Sequence, residues 1–271
     1  MARPWETPLV HDRIAITGGG SGIGRGVAIE LASLGATVYV LGRRQEPLEE
    51  TAAGATDGRI VPVTCDTTDA ARVDEAFAAI EADGGPVRAL VHGAANVEYK
   101  RGRDITDQGF RDVVESTLVG AFTVVSRWAR PLLEGGLDGI GVTLTSAMAT
   151  KGTPGVAHSS AGKAGTEAMV KSLAREWGRD GIRLNAVGPG FFPVERTRAM
   201  FEPGASGAAI VDQTALGRVG ELPEIVGPIV FLLTAAASYI TGITLIPDGG
   251  FTLPPDVFPT YRFEGSEPGR R

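Results

Sequence analysis

The sequence predicts an α/β fold: one domain built on a doubly wound, seven-stranded parallel sheet with helices on both faces. Three observations carry this expectation. Short apolar runs with strand character alternate with helical patterns along almost the whole chain. A glycine-rich stretch, Thr17-Gly18-Gly19-Gly20-Ser21-Gly22-Ile23-Gly24, joins the first apolar run to the first helical pattern. The 271 residues, 43% hydrophobic and 21% charged, suffice for one large core and require no second domain.

The elements follow in order. Arg13–Thr17 is the first strand, and Gly22–Leu34 the first helix, with Val27, Leu31 and Leu34 at helical spacing beside Ala28 and Ala32. Ala36–Leu41, Arg59–Val63 and Arg88–His92 are the next strands, separated by helical patterns at Glu46–Ala53 and Asp69–Ala82. A long helix over Asp107–Leu133 precedes a strand at Ile140–Thr145. Another over Val156–Gly178 precedes Arg183–Val187, and a helix over Pro223–Ala236 precedes the last strand, Ile243–Ile246. Repeated β-α-β units with right-handed crossovers give a parallel sheet covered on both faces. Residues 188–221 break the rhythm with Pro189, Gly190, Pro193, Pro203, Gly204 and Gly207, and read as an irregular lid over a ligand site. Phe191, Phe192, Met200 and Phe201 make that lid apolar and point loosely to an apolar substrate. The domain is expected to span 1–251. The tail, Thr252 to Arg271, has four prolines and is expected to be disordered or docked on a neighbour.

Composition excludes some classes of function. Twenty-six basic against 32 acidic residues give a net charge of −6, so neither nucleic acid nor a membrane surface is an expected partner. The most apolar stretch, Ile225 to Ile240, contains Pro228 and is too short to span a bilayer. Met1 to Val10 has no apolar core and carries Pro4, Glu6 and Pro8, so no signal peptide is expected there. Cys65 is the single cysteine, which rules out an internal disulfide and suits a cytoplasmic location. No metal-ligand cluster is visible.

The glycine stretch carries the first chemistry. Strand, glycine turn and helix together form a phosphate-binding arrangement: glycines allow positive φ and close backbone approach, and the helix N-terminus offers free N–H groups to a pyrophosphate. A free ribose 2′-hydroxyl calls for an acid after the second strand. Here that strand runs into Gly42-Arg43-Arg44, with no acid before Glu46. Guanidinium groups match a 2′-phosphate, so the expected cofactor is NADP(H).

The motifs together resemble the short-chain dehydrogenase/reductases, single-domain Rossmann oxidoreductases, over about the first 250 positions. The matching pieces are TGGGSGIG at 17–24, Asp66 after the third strand, LVHGAAN at 90–96, LTSA at 144–147, Lys163 in SSAGKAG, RLNAVGPG at 183–190 and ITG…DGGF at 240–251. Within the family, HSSAGKAGTEAMVKSLAREWGRDGIRLNAVGPG at 158–190 and VFLLTAAASYITG at 230–242 are most similar to the 2,4-dienoyl-CoA and trans-2-enoyl-CoA reductase branch. The resemblance implies cofactor contacts from Gly18, Ser21, Gly22, Ile23, Gly24, Arg43, Arg44, Asp66, Thr67, Ala94, Lys163, Pro189, Gly190 and Phe192. Asp66 would meet the adenine amino group, the Ala94 region the adenosine ribose, and the Lys163 ammonium the nicotinamide ribose.

The resemblance also implies a catalytic set that this chain changes. Where the family places a tyrosine four residues before the lysine, the chain has Ser159. Ser146, thirteen residues before that, is retained, and Thr117 stands at the family's asparagine position. A phenol beside an ammonium can exchange a proton near neutral pH, whereas a serine hydroxyl is far less acidic. Met148 occupies the place where dienoyl-CoA reductases carry their own tyrosine. Candidate substitutes are Tyr99, which follows the fourth strand on the ligand side, and His158, beside Ser159; Tyr39, Tyr239, Tyr261, His11 and His92 are weaker. Glu167 reads as an i,i+4 surface partner of Lys163.

Three functions are compatible with this pattern. The first is NADP(H)-dependent reduction of an activated C=C bond, in an enoyl or dienoyl thioester of CoA or a carrier protein, or a similar conjugated carbonyl. There Ser146 and Ser159 would donate to the oxygen that gains charge. The second is altered chemistry on a retained cofactor pocket: an isomerase, dehydratase or cyclase, or a ketoreductase using a different acid. The third is a cofactor-binding protein without catalysis. By resemblance, the long helices at 107–133 and 156–178 pair between subunits of a dimer or tetramer.

Overall fold

A computed structural model of the chain describes residues 9–202 and 207–254. The strands are β1 (Arg13–Thr17), β2 (Thr37–Gly42), β3 (Arg59–Thr64), β4 (Ala89–His92), β5 (Gly139–Leu144), β6 (Ile182–Val187) and β7 (Thr244–Leu245). The helices are α1 (Gly22–Ser33), α2 (Gln45–Ala52), α3 (Ala70–Ala82), α4 (Asp107–Val114), α5 (Gly120–Gly135), α6 (Ala147–Lys151), α7 (Ala157–Trp177), α8 (Gly207–Gln213) and α9 (Leu222–Leu232). The strands form one parallel sheet in the order β3-β2-β1-β4-β5-β6-β7. The chain winds outward from β1 to β3, returns to set β4 beside β1, and then winds the other way. That reversal opens a crevice at the C-terminal ends of β1 and β4, where Thr17 and His92 are register partners.

Alternation along the strands feeds two separate cores. On one face Ile14, Ile16, Val38 and Val40 pack with Val27 and Leu31 of α1 and Ile225 and Ile229 of α9. On the other Ala15, Tyr39, Leu41 and Leu90 pack with Val73 and Ile80 of α3, Val125 and Trp128 of α5, and Val170 of α7. Trp128 is fully buried because β5 offers glycine beneath it. A Cβ added at Gly139 or Gly141 would come within 3.0 or 3.2 Å of the indole.

Several expectations need correction. The helix expected over Asp107–Leu133 reaches Gly135 and contains a π-helical turn at Glu115–Val119. Tertiary contacts hold this turn. Thr166 of α7 donates to the Thr117 carbonyl at 2.8 Å, and a Cβ added at Gly120 would lie 2.9 Å from the Thr67 carbonyl oxygen. The short helices α6 and α8 fall where no helix was expected, α8 within the lid. The last long helix stops at Leu232, followed by a 3-10 turn at Ala235–Ala237, and β7 keeps only two of the four residues expected. No helix among the described residues is long and apolar enough to cross a membrane. The expectation for Met1–Val10 (up to Pro8), the lid residues Pro203 and Gly204, and the tail from residue 255 onward, with Tyr261, lie outside the described residues.

Candidate active site

The crevice at the switch point is built from backbone first. Gly18 and Gly22 hold positive φ, 73° and 53°, which side chains beyond glycine rarely adopt. A Cβ added at Gly24 would collide with the Gly18 carbonyl, so α1 can start this close under the turn only with glycine there. Thr17, fully buried at the end of β1, locks the opposite wall. Its hydroxyl oxygen accepts from the N–H groups of Gly93 and Ala94, both at 3.2 Å, and lies 2.8 Å from His92 Nδ1. With the oxygen's acceptor capacity spent on two N–H donors, the hydroxyl proton points at Nδ1, which assigns the His92 proton to Nε2. Burial, with the Lys163 charge, pushes the His92 pKa down to about 3, so this imidazole is neutral and serves as a structural acceptor.

A cleft of about 380 Å³ runs from this turn across the sheet's C-terminal edge. Every residue expected to touch the cofactor lines it: Gly18, Ser21, Gly22, Ile23, Gly24, Arg43, Arg44, Asp66, Thr67, Ala94, Lys163, Pro189, Gly190 and Phe192. Asp66 Oδ1 accepts from the N–H and hydroxyl of Thr68, at 3.0 and 2.8 Å, which fixes the carboxyl at the end of the cleft beyond β2 and β3. Arg43 and Arg44 are exposed there, and neither pairs with an acid among the described residues. The glycine turn, where a Cβ at Gly18, Gly19 or Gly24 would come closer than 3.0 Å to its neighbours, and these unpaired cations fit an anionic dinucleotide.

At the other end, α7 presents Ser159 and Lys163 one turn apart, and β5 leads into Ser146. Lys163 is buried and its Nζ donates to the Leu144 carbonyl at 2.6 Å. Burial, then the Arg196 charge, lowers its pKa to about 8, so the ammonium persists at neutral pH and is lost above it. Ser146 caps α6, its Oγ accepting from the Met148 N–H at 3.2 Å, which leaves its proton available to another acceptor. Ser146, Ser159, Lys163, Met148 and the half-exposed Tyr99 all line the cleft.

Two candidate residues stand outside that lining. Thr117 is fully buried in the π-turn and donates to the Val113 carbonyl at 2.6 Å, so its hydroxyl is spent within its own helix. Its oxygen faces Gly162 of α7 so closely that a Cβ there would overlap it. The neighbouring Ser116 lines the cleft instead, accepting from the Asn96 N–H at 3.3 Å. His158 is also fully buried, with Nε2 3.8 Å from Glu98 Oε2. Neither of its nitrogens has a hydrogen-bond partner among the described residues. Glu167, expected as a surface partner of Lys163, is half-buried near Thr145 and Thr244, where burial raises its carboxyl pKa. Of the weaker alternatives, Tyr39 is buried with its hydroxyl bound to Arg13 and Asp83, Tyr239 is fully exposed, and His11 sits 3.2 Å from Asp138.

The lid segment after β6 adds Glu195, Arg196 and Thr197 to the lining, which the sequence reading missed. Phe191 packs edge-on against Phe251 with centroids 5.0 Å apart, and Lys151 donates to the Phe251 carbonyl at 2.8 Å. The Asp-Gly-Gly-Phe motif at 248–251 thus braces the root of the lid.

Sheet order, switch-point crevice and glycine turn define a dinucleotide-binding α/β protein. Comparison with known proteins carries this further. A family model described as enoyl-(acyl carrier protein) reductase matches residues 18–252. The chain is 36% identical over 252 residues to a probable 2,4-dienoyl-CoA reductase of Bacillus subtilis, covering 90% of this chain and 98% of that protein. It is 34% identical over 245 residues to the 3-oxoacyl-[acyl-carrier-protein] reductase MabA of Mycobacterium bovis, covering 90% and 94%. A crystal structure of a short-chain type dehydrogenase/reductase from Mycobacterium marinum superposes with a TM-score of 0.85 at 30% identity, covering 93% of this chain and all of that one. The chain belongs to the short-chain dehydrogenase/reductase family, whose oxidoreductases use NAD(P)(H).

Proposed function

We propose that the protein is an NADP(H)-dependent reductase of a C=C bond conjugated to a thioester, carried on CoA or a carrier protein. The observation that carries this is the makeup of the cleft's reactive end. Ser146, Ser159 and Lys163 converge there, and the position one turn before Lys163 holds a hydroxyl with no acidity near neutral pH. When bound, the reduced nicotinamide supplies the hydride. The chain's own residues then have two tasks. Lys163, anchored on Leu144, holds the cofactor's ribose end. Ser146 and Ser159 donate hydrogen bonds to the thioester oxygen as it gains charge, a demand that needs donors but no proton transfer at that oxygen, and the proton that completes the reduction reaches the α-carbon from water. The relation to a probable dienoyl-CoA reductase supports the same reading. Arg43 and Arg44, without acidic partners among the described residues, support NADP(H) over NAD(H).

The relation to MabA supports a second reading, reduction of a 3-oxoacyl thioester with Tyr99 as the acid. One assay separates the two: purified protein, NADPH, and crotonyl- or acetoacetyl-thioester, followed at the nicotinamide absorbance band. Turnover of crotonyl-thioester with at most slow use of acetoacetyl-thioester is expected, and the reverse preference favours the second reading. Product formation without NADPH oxidation supports altered chemistry, and binding alone a non-catalytic role. We further propose self-association through the α4–α5 surface, where Phe110, Val119 and Phe122 stand exposed.

A further inference from the structure

The lid carries a carboxylate to the start of α1. Three hydrogen bonds shape the turn that does so: Val194 N–H to Thr197 Oγ1 at 3.0 Å, Thr197 N–H to the Val194 carbonyl at 2.9 Å, and the Thr197 hydroxyl to the Phe192 carbonyl at 2.6 Å. Glu195 projects from this turn. Its Oε2 accepts from the Gly22 N–H at 3.0 Å, the first N–H of α1, and its Oε1 lies 3.8 Å from Arg25 Nη1. Arg25 already pairs with Glu50 at 2.7 Å, so two carboxylates converge on one cation. The next two N–H groups of α1, on Ile23 and Gly24, have no acceptor among the described residues.

We propose that Glu195 is an internal rival of the cofactor's diphosphate: it latches the lid onto α1 in the free protein and must leave when the dinucleotide enters. The inference rests on the dinucleotide reading of the glycine turn, but on no particular substrate. A helix N-terminus favours one negative group, and the diphosphate and the Glu195 carboxylate both seek the same N–H donors. Two anions held together there repel each other, so the carboxylate weakens cofactor binding and the cofactor loosens the lid. The adjacent residue has the opposite charge. Arg196 lines the cleft and pairs with no acid among the described residues. The lid therefore sets a repelling group and an attracting one side by side, and loss of the repelling one tightens binding.

The test uses the full chain and Glu195→Gln, with Glu195→Ala as a second variant. Dissociation constants for NADPH and for inorganic pyrophosphate are measured by calorimetry, and amide hydrogen exchange across 191–202 is followed without cofactor. The expected result is tightening of both ligands by about tenfold in each variant, with faster exchange in the ligand-free lid. Unchanged or weaker NADPH binding would overturn the proposal, since a carboxylate that merely caps α1 supports the site and its loss cannot tighten it. Unchanged lid exchange would overturn it as well. If neither wild type nor variants bind NADPH or NADH, the dinucleotide reading itself fails and takes the latch with it.

Discussion

The two ends of the cleft are built on different principles. At the phosphate end, backbone makes the site. Gly18, Gly22 and Gly24 fix a turn in which a Cβ at Gly24 would overlap a carbonyl, and Thr17 ties that turn to Gly93 and Ala94. At the reactive end, side chains make the site: Ser146, Ser159, Lys163 and Tyr99, with a lid above them. A backbone site tolerates no substitution and so keeps its ligand class. A side-chain site can exchange one hydroxyl for another and change its reaction while the fold is untouched. The family's range, from a probable dienoyl-CoA reductase to a 3-oxoacyl reductase at similar identity, follows the same division.

The strongest way to break this contrast is at Lys163, the reactive-end side chain that would also hold the cofactor. Lys163→Met is expected to lower kcat/KM by about 10²–10³-fold and to weaken NADPH binding, read by steady-state kinetics and fluorescence titration. Retained activity would remove Lys163 from the site. Ser159→Tyr sharpens the contrast from the other side. It restores a phenol one turn before Lys163, so acetoacetyl-thioester reduction should rise by at least about tenfold while NADPH affinity stays within about twofold. Arg43→Ala probes the adenosine end alone, with NADPH binding weakened about tenfold and NADH binding unchanged. The smallest effect is that of pH. Burial lowers the Lys163 pKa to about 8, so the ammonium is intact below that value and disappears as pH rises through it. Activity should therefore fall above about pH 8, and the alkaline limb should be absent from the residual activity of Lys163→Met. His92, held near 3, adds no break around pH 6 to 7.

Most of the architecture was legible because it rests on periodicity and on glycine. Alternating apolar runs mark all seven strands to within a few residues, and the glycine turn that lies at the switch point stands out in the sequence. The reactive end was less legible, for identifiable reasons. Counting along the sequence selected Thr117, but the π-turn at Glu115–Val119 shifts the helix register and brings Ser116 to the cleft. That turn depends on Thr166 and Thr67, more than 45 residues away in each direction, so no local pattern announces it. His158 lies next to Ser159 in sequence, yet adjacent helical positions point apart, and its ring is buried beside Glu98. Glu195 fell within a segment rich in proline and glycine, where nothing in the spacing says which side chain folds back onto α1.

The central claim is that this cleft delivers hydride to the β-carbon of a conjugated C=C bond rather than to a carbonyl carbon. The direct test is to turn over crotonyl-thioester with NADPH deuterated at the transferring position of the nicotinamide and to locate the label by mass spectrometry. The account predicts one deuterium at the β-carbon of a saturated acyl thioester. Label on a carbinol carbon with acetoacetyl-thioester, and none in a saturated product from crotonyl-thioester, would contradict it.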